Sequence, residues 1–214
     1  MFELRRLALG GMLLASWAMA SASDSRSPAN CVALPDLAAM HQVGNAVRAA
    51  YPYDLDPKSP EAVKAADRIM VVDRRNTERL RPWLQRCGWP DARKVGEATE
   101  GMVWSLVQHA DQDRPFQQMA SSLLKRQVLR GGAPAIHLAY LEDRIAIGTG
   151  QRQLYGTQLE MNGECSVELF PIDSPLKVDV RRKEVGMEPL RVYVAQVRAT
   201  MLPEQCRTVA RPAP

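Results

Sequence analysis

The sequence predicts a mainly α fold, a single helical domain with a small C-terminal β-hairpin. Between residues 34 and 147, apolar side chains recur at helical spacing, and Ser, Asp, Pro and Gly stand where helices would begin and end. After residue 150 the spacing changes, and Asn162-Gly163 separates two β-prone segments, 154–161 and 164–170. Because both residues tolerate positive φ, an Asn-Gly pair between such segments is a strong signal of a hairpin.

The first 22 residues have the layout of a secretory signal peptide. Arg5 and Arg6 precede an uncharged run of 13 residues, which is too short to span a bilayer. Small residues then allow cleavage after Ala20 or Ala22. We therefore expect a periplasmic or secreted protein without a stable membrane span after cleavage; an uncleaved anchor is the alternative.

Four cysteines remain after cleavage, and an even number in an exported chain favours two disulfides. None forms a CxxC pair, which argues against a zinc ribbon or a thioredoxin-type redox motif. Three pairings are possible. We favour Cys31–Cys87 and Cys165–Cys206, because these bridges would fasten chain ends that otherwise fray.

The charge is mild, since removal of Glu3, Arg5 and Arg6 lowers the formal net charge from +4 to +3. Basic residues are interleaved with acidic ones, without the stripe that a nucleic-acid-binding protein needs. We expect no nucleic acid as partner and no cofactor. The partner would be an unknown small polar ligand or another protein of the envelope.

The domain plan follows from the breaks in the helical pattern. Residues 23–59 form an extension with one helix, 60–205 the helical domain with the hairpin at 154–170, and 206–214 a flexible tail. In the second helix Ser59 is the predicted N-cap, Asp73 interrupts an apolar face that includes Val63 and Met70, and Pro82 should kink or split the helix. A further helix, capped by Asp113, should begin after a break at Asp111.

The densest polar cluster surrounds the end of the helix near residue 110 and contains Trp104, Gln108, His109, Asp111 and Asp113. His109 with Asp111 or Asp113 could act as a general base, so these three are the candidate catalytic residues. The structural alternative is that Asp113 accepts a hydrogen bond from His109 and that an aspartate caps the next helix.

Two further clusters are candidates for ligand binding. The first contains His137, Asp143 and Arg144, and an arginine can hold a carboxylate or phosphate bidentately. The second contains Tyr155, Thr157 and Gln158 on the predicted first strand, where Tyr155 and Thr157 share a face. Their amides and hydroxyls suit a neutral polar ligand such as a sugar or peptide.

Two histidines and a carboxylate could also hold zinc, but no HExxH or similar motif is present, and we predict no metal site. The P-loop, GxSxG and dinucleotide-binding motifs are absent from the sequence as well.

The motifs W..VQHAD (104–111), AYLEDR (139–144) and QLYGTQ (153–158), in this order, resemble a bacterial family of domains of unknown function. The resemblance covers about residues 60–195 and implies that these polar positions are shared by the family. It implies no activity. The cysteines and Pro82 depart from the family pattern.

We therefore expect an exported helical domain of the cell envelope that binds a ligand or protein through a polar groove. In this groove Tyr155 and Gln158 should approach His109 and Arg144. The alternative is a hydrolase or transferase with a His/Asp general base.

Overall fold

The computed structural model describes residues 31, 36–52, 55–161, 166–202 and 206. These residues form eight α-helices and one two-stranded antiparallel hairpin, which confirms the predicted fold class. The elements in chain order are α1 (Leu37–Ala49), α2 (Pro60–Cys87), α3 (Ala92–Val95), α4 (Glu97–Gln108), α5 (Arg114–Leu129), α6 (Ala135–Gly148), β1 (Leu159–Met161), β2 (Val167–Leu169), α7 (Val178–Glu184) and α8 (Leu190–Met201).

The helix starts follow the local sequence. Ser59 Oγ accepts a hydrogen bond from the Ala62 amide, and Asp113 accepts one from the Phe116 amide, so both predicted caps are confirmed. Gly88 ends α2 with a positive φ of 75°.

Helix α2 differs from its prediction in two ways. It runs through Pro82 without a break, and Pro82 lies on the exposed face between the buried side chains of Leu80 and Trp83. We infer that solvent meets the carbonyl that this proline leaves unbonded. The predicted apolar face is wrong at Val63 and Met70, which are exposed, because the smaller alanines of α2 pack inward.

The two strands pair with Leu159 opposite Leu169 and Met161 opposite Val167. Strand β1 therefore begins later than the predicted residue 154. The predicted turn at Asn162-Gly163 lies outside the described residues, as do the predicted signal peptide and residues 207–214. Among the residues that the structure describes, no helix is long and apolar enough to cross a membrane.

The main core lies among the first six helices. Its largest fully buried apolar side chains come from α1, α2, α4, α5 and α6, and include Met40, Leu80, Leu84, Val103, Phe116, Leu124 and Leu141. The predicted disulfide Cys31–Cys87 is confirmed and ties the chain before α1 to the end of α2. In the other predicted pair, Cys206 is buried, and Cys165 lies outside the described residues.

Helices α4 and α6 set the frame of the candidate site. Glu100 contacts His137 near the start of both helices, and Asp111, just after α4, contacts Arg144 near the end of α6. The two helices therefore lie side by side and run in the same direction. Helix α5, which stands between them in the sequence, brings the chain back from the end of α4 to the start of α6.

Candidate functional site

A connected set of polar and aromatic side chains follows the α4–α6 pair and reaches the loop before β1 and helix α8. We call this set the α4–α6 strip. It consists of Trp104, His109, Asp111, His137, Tyr140, Arg144, Thr157, Gln158 and Tyr193. Residues from all three predicted clusters therefore take part in one network.

His109 lies at the C-terminal end of α4, where its side chain is half-buried. Burial, together with the positive charges of Arg48 and Arg144, lowers the pKa of His109 to about 4, and Asp111 opposes this only in part. The imidazole is therefore neutral at pH 7. No hydrogen bond joins its ring to another residue within the described ranges, and its nitrogens are not among the buried atoms without a partner. They therefore reach solvent.

Arg144 and Asp111 form the second part of the site. Arg144 Nη2 and Nε donate to the two carboxylate oxygens of Asp111 at 2.5 and 2.9 Å, and Nη1 donates to Gln158 Oε1 at 3.2 Å. Burial would raise the pKa of Asp111, but the hydrogen bonds and charge of Arg144 outweigh it, so the pKa is lowered. Asp111 is therefore a carboxylate at pH 7 that pairs with Arg144, and Arg114 Nη1 lies 3.8 Å from the same carboxylate.

Arg48, whose charge acts on His109, belongs to a second ion pair, Arg48–Asp73, which was missed from the sequence. Arg48 Nη2 donates to both carboxylate oxygens of Asp73 at 2.8 and 2.7 Å. Burial raises the pKa of Asp73 despite Arg48, because only 8 % of the residue is exposed. The signal in the sequence was the charge that Asp73 places on the inner face of α2.

Asp143 holds the loop before β1 in place. Its buried carboxylate accepts hydrogen bonds from the amides of Leu154, Tyr155 and Thr157 and from the Thr157 hydroxyl, at 2.7 to 3.2 Å. These residues curl around Asp143, so the prediction of a strand with Tyr155 and Thr157 on one face is wrong. The contacts make Asp143 and the Thr157 hydroxyl positioning groups for the neighbouring Gln158.

The loop also requires a glycine at Gly156. Its φ is 70°, and a Cβ atom there would lie 2.7 Å from Leu190 Cδ1 and 3.0 Å from Ile172 Cδ1. Gln153 closes the loop, since its buried side chain donates to the carbonyls of Gln158 and Phe170 and accepts from the Gln158 amide. The position of Gln158 is therefore fixed by several independent contacts.

Tyr155 and Asp113 lie apart from His109. The half-buried ring of Tyr155 faces Glu142 and Asp143, and burial raises the pKa of its hydroxyl. Asp113 caps α5 and pairs with Arg81, whose hydrogen bond lowers the pKa of Asp113. Of the residues predicted to approach His109, the structure brings Asp111, Arg144 and Gln158 together.

The other end of the strip is built around a buried carboxylate that was not predicted. Glu100 is fully buried, and its Oε1 accepts a hydrogen bond from Trp89 Nε1 at 2.8 Å. Its Oε2 lies 2.8 Å from His137 Nδ1, an ion-pair distance, although the angles are not those of a hydrogen bond. Because a buried carboxylate needs a partner, the close approach makes His137 the partner of Glu100 Oε2. The sequence feature that could have indicated this site is Glu100 itself, an acidic residue one turn before Trp104 in an otherwise apolar part of α4.

Aromatic stacking fixes the orientation of His137. The rings of Trp104 and His137 stack with centroids 4.4 Å apart, and Trp104 Nε1 donates to the His137 carbonyl at 2.9 Å. Tyr140 meets Trp104 edge-on, and Tyr193 meets Tyr140 in the same way. Trp104 and His137 therefore belong to one aromatic cluster at this end of the strip. Gln158 and Arg144 belong to the polar cluster at the other end.

Two buried polar atoms on helices α2 and α4 have no hydrogen-bond partner among the residues that the structure describes. They are the amide nitrogen of Gln108, next to His109 in α4, and the hydroxyl of Thr77, one turn beyond Asp73 in α2. Helices α2 and α4 pack against each other. Buried polar atoms are normally hydrogen-bonded, so unpaired ones indicate a place where a water or ligand atom belongs.

A zinc site would require several ligating side chains to lie close together in the part of the chain that the structure describes. There, no three His, Cys, Asp or Glu side chains come close enough together to hold a metal ion. His109 and His137 lie at opposite ends of the strip.

The fold and the strip define a mainly helical domain with a polar and aromatic surface along two parallel helices. A family model matches residues 34–201, so the chain belongs to the family of unknown function DUF6624. The match begins earlier than the predicted resemblance and includes all of α1. No curated protein and no solved structure shows significant similarity to the chain.

Proposed function

We propose that this protein is an exported binding protein of the cell envelope, whose α4–α6 strip takes a neutral polar ligand such as a sugar or peptide. The proposed address has two supports. The first residues have the layout of a secretory signal peptide, and Cys31–Cys87 is a disulfide of the kind that persists in oxidising compartments.

The neutral character of the ligand follows from the way the charges are paired. Arg48 and Arg144, the two arginines that act on His109, are each neutralised by their own carboxylate, and His109 itself is uncharged at pH 7. An anionic ligand would have to compete with Asp73 or Asp111, and a cationic ligand with Arg48 or Arg144. A neutral ligand would leave both ion pairs intact.

The observation that carries the proposal is a set of hydrogen-bonding groups on α2 and α4 that no described residue uses. A neutral imidazole offers one acceptor and one donor, Gln108 offers an amide donor, and Thr77 offers a hydroxyl. Hydroxyl and amide groups of a sugar or peptide match this set. The aromatic rings of Trp104 and Tyr140 offer flat apolar surface further along the strip.

A titration followed by NMR would test this proposal, with neutral disaccharides and blocked dipeptides as probes. We expect at least one probe to shift the resonances of His109 and of the Gln108 and Gln158 side-chain amides. His109→Ala should weaken its binding at least tenfold, because the donor and the acceptor of the imidazole are both lost. Gln112→Ala, an exposed neighbour, is the control and should leave binding unchanged. The absence of shifts at millimolar concentrations of every probe would refute the proposal.

The address has its own test. The mature protein recovered from the periplasm or medium should begin at residue 21 or 23 by mass spectrometry. A protein that keeps Met1 and stays in the cytoplasm would rule out export.

A hydrolase is the second candidate, and the Glu100–His137 contact favours it. A proton on Nδ1, which lies 2.8 Å from the buried carboxylate of Glu100, would leave the Nε2 lone pair available, as in carboxylate–histidine general bases. His109 is less suited to this role, because a pKa of about 4 makes it a weak base at pH 7.

A panel of chromogenic esters and amides would test the hydrolase. His137→Ala and Glu100→Gln should each lower any turnover at least tenfold, whereas His109→Ala should change it little. Turnover that survives both substitutions would exclude His137 as the base.

A further inference from the structure

A cleft of about 860 Å³ lies away from the α4–α6 strip, where the end of α2, helix α3 and the end of α5 meet. We call it the basic cleft. Five of its lining side chains are cations, and they come from all three elements: Arg86, Arg93, Lys94, Arg126 and Arg130. Asp91 is the one acidic residue among those that line it.

The single acid does not neutralise this cluster. Arg93 holds Asp91 through two hydrogen bonds at 2.9 and 2.7 Å, and these contacts lower the pKa of Asp91 to about 2. The side chains of the remaining cations, Arg86, Lys94, Arg126 and Arg130, have no hydrogen bond or ion pair with any residue that the structure describes. Four unpaired positive charges therefore surround one concave space.

Exposed arginines without partners are common on surfaces, and this protein has others, such as Arg68 and Arg75 on the outer face of α2. Those side chains are spread along one helix. Helix-end electrostatics accounts for single cations in the last turns of α2 and α5, but it does not require these cations to converge on one space. With five cations and one acid, the basic cleft carries +4, equal to the formal net charge of the whole chain.

A tryptophan that lines the cleft has an N–H group that no described residue accepts. Trp83 is only 6 % exposed, and its Nε1 has no hydrogen-bond partner among the residues that the structure describes. The neighbouring Trp89 differs, because its Nε1 is used by Glu100. An indole N–H donates and cannot accept, so what Trp83 lacks is an oxygen or another acceptor.

We propose that the basic cleft binds a soluble small molecule with two or more phosphate groups. Arginine presents paired N–H donors that match phosphate oxygens, and lysine adds a further charge. A volume of about 860 Å³ exceeds what one phosphate fills and lies in the range of small-molecule sites. The concave shape favours a soluble ligand over the flat surface of an anionic membrane. None of these residues belongs to the α4–α6 strip, so this inference is independent of the proposed function.

Calorimetric titration of the full mature protein with tripolyphosphate, at low and at physiological salt, tests the proposal. We expect saturable one-to-one binding that weakens as salt rises, because the contacts are charge–charge. Arg126→Gln/Arg130→Gln should weaken binding at least tenfold. The matched control Arg68→Gln/Arg75→Gln makes the same change in net charge and should alter the affinity less than twofold.

Two further measurements separate the site from general attraction between charges. Trp83→Phe keeps the charge and most of the volume but removes the N–H, so it should weaken tripolyphosphate binding several-fold. Binding to phosphatidylglycerol vesicles should be weaker than to tripolyphosphate. Equal losses in the cleft and control variants, no binding at 10 mM tripolyphosphate, or binding to vesicles alone would each overturn the proposal.

Discussion

The α4–α6 strip and the basic cleft are both polar, but they treat their charges in opposite ways. In the strip, Arg144 is matched with Asp111, and the nearby Arg48 with Asp73. In the cleft, one of five cations is matched, and its partner is two residues away in the same short segment. The strip satisfies its charges within the fold, whereas the cleft leaves them for solvent or a ligand.

This difference teaches what each region can contribute. Paired and partly buried groups stabilise the fold and cannot be removed without leaving a partner unsatisfied. Unpaired exposed cations add little to stability and remain available for an anion. We therefore expect substitutions in the strip to change the free energy of unfolding, and substitutions of the unpaired cations in the cleft to change binding alone.

The largest expected effect concerns the disulfide that forms part of the cleft wall. Cys31 and Cys87 are separated by 56 residues, and a crosslink over such a loop stabilises by about 4 kcal/mol in the chain-entropy model. Cys31→Ser/Cys87→Ser should lower the free energy of unfolding in urea by about this amount. A loss below about 1 kcal/mol would show that other contacts hold this end of the molecule.

The next effect is at Asp143, whose carboxylate is the most heavily used acceptor beside the strip. Asp143→Ala should cost about 3 kcal/mol in urea unfolding, because three backbone amides of the loop before β1 lose their acceptor. Asp67→Ala, at an exposed position of α2, should stay within about 0.5 kcal/mol of the wild type. Equal effects of the two variants would contradict the positioning role.

The pH dependence of stability sharpens the comparison through His109. A histidine in the unfolded chain takes up its proton near its usual pKa of 6.5, whereas folded His109 does so at about 4. Between these values the unfolded state binds more protons, so the free energy of unfolding should fall as pH is lowered from 6.5 to 4. After a discount for partial exposure we expect about 2 kcal/mol.

His109→Gln isolates this contribution. Relative to the wild type, the variant should lose less stability between pH 6.5 and pH 4, because its side chain does not titrate. Parallel pH profiles of the two proteins would mean that burial does not hold the His109 ring neutral.

The smallest effect is expected in the cleft. Arg126→Gln should change the free energy of unfolding by less than about 0.5 kcal/mol, or raise it slightly at low salt, because it relieves repulsion among like charges. Chemical unfolding at two salt concentrations would measure this. A clear destabilisation would show that Arg126 has a structural partner and would weaken the contrast between the two regions.

The success of the sequence predictions depended on how local each feature is. The caps at Ser59 and Asp113 were predicted because a cap and its amide lie within one turn. The prediction of a strand from residue 154 was wrong, because the backbone amides there donate hydrogen bonds to the carboxylate of Asp143 in α6 and not to a neighbouring strand. Pro82 did not interrupt α2, because buried neighbours on both sides anchor the helix.

The candidate site was predicted in part, for the same reason. His109, Asp111 and Arg144 stand out as chemistry-bearing residues, and the structure places them in one network. Arg48 and Glu100 do not stand out, because their importance depends on partners that are distant in sequence. The basic cleft gave no sequence signal, since its cations come from three separate elements.

The sequence by itself determined the helical plan, the hairpin and the helix caps, since each leaves a mark in spacing or composition, whereas the structure selected Cys31–Cys87 from the possible cysteine pairings. Only the tertiary structure decided which charges meet. Arg48 and Asp73 are 25 residues apart, and Asp111 and Arg144 are 33 apart. Pairing over such distances depends on how whole helices pack, and the same packing leaves the cations of the basic cleft without partners.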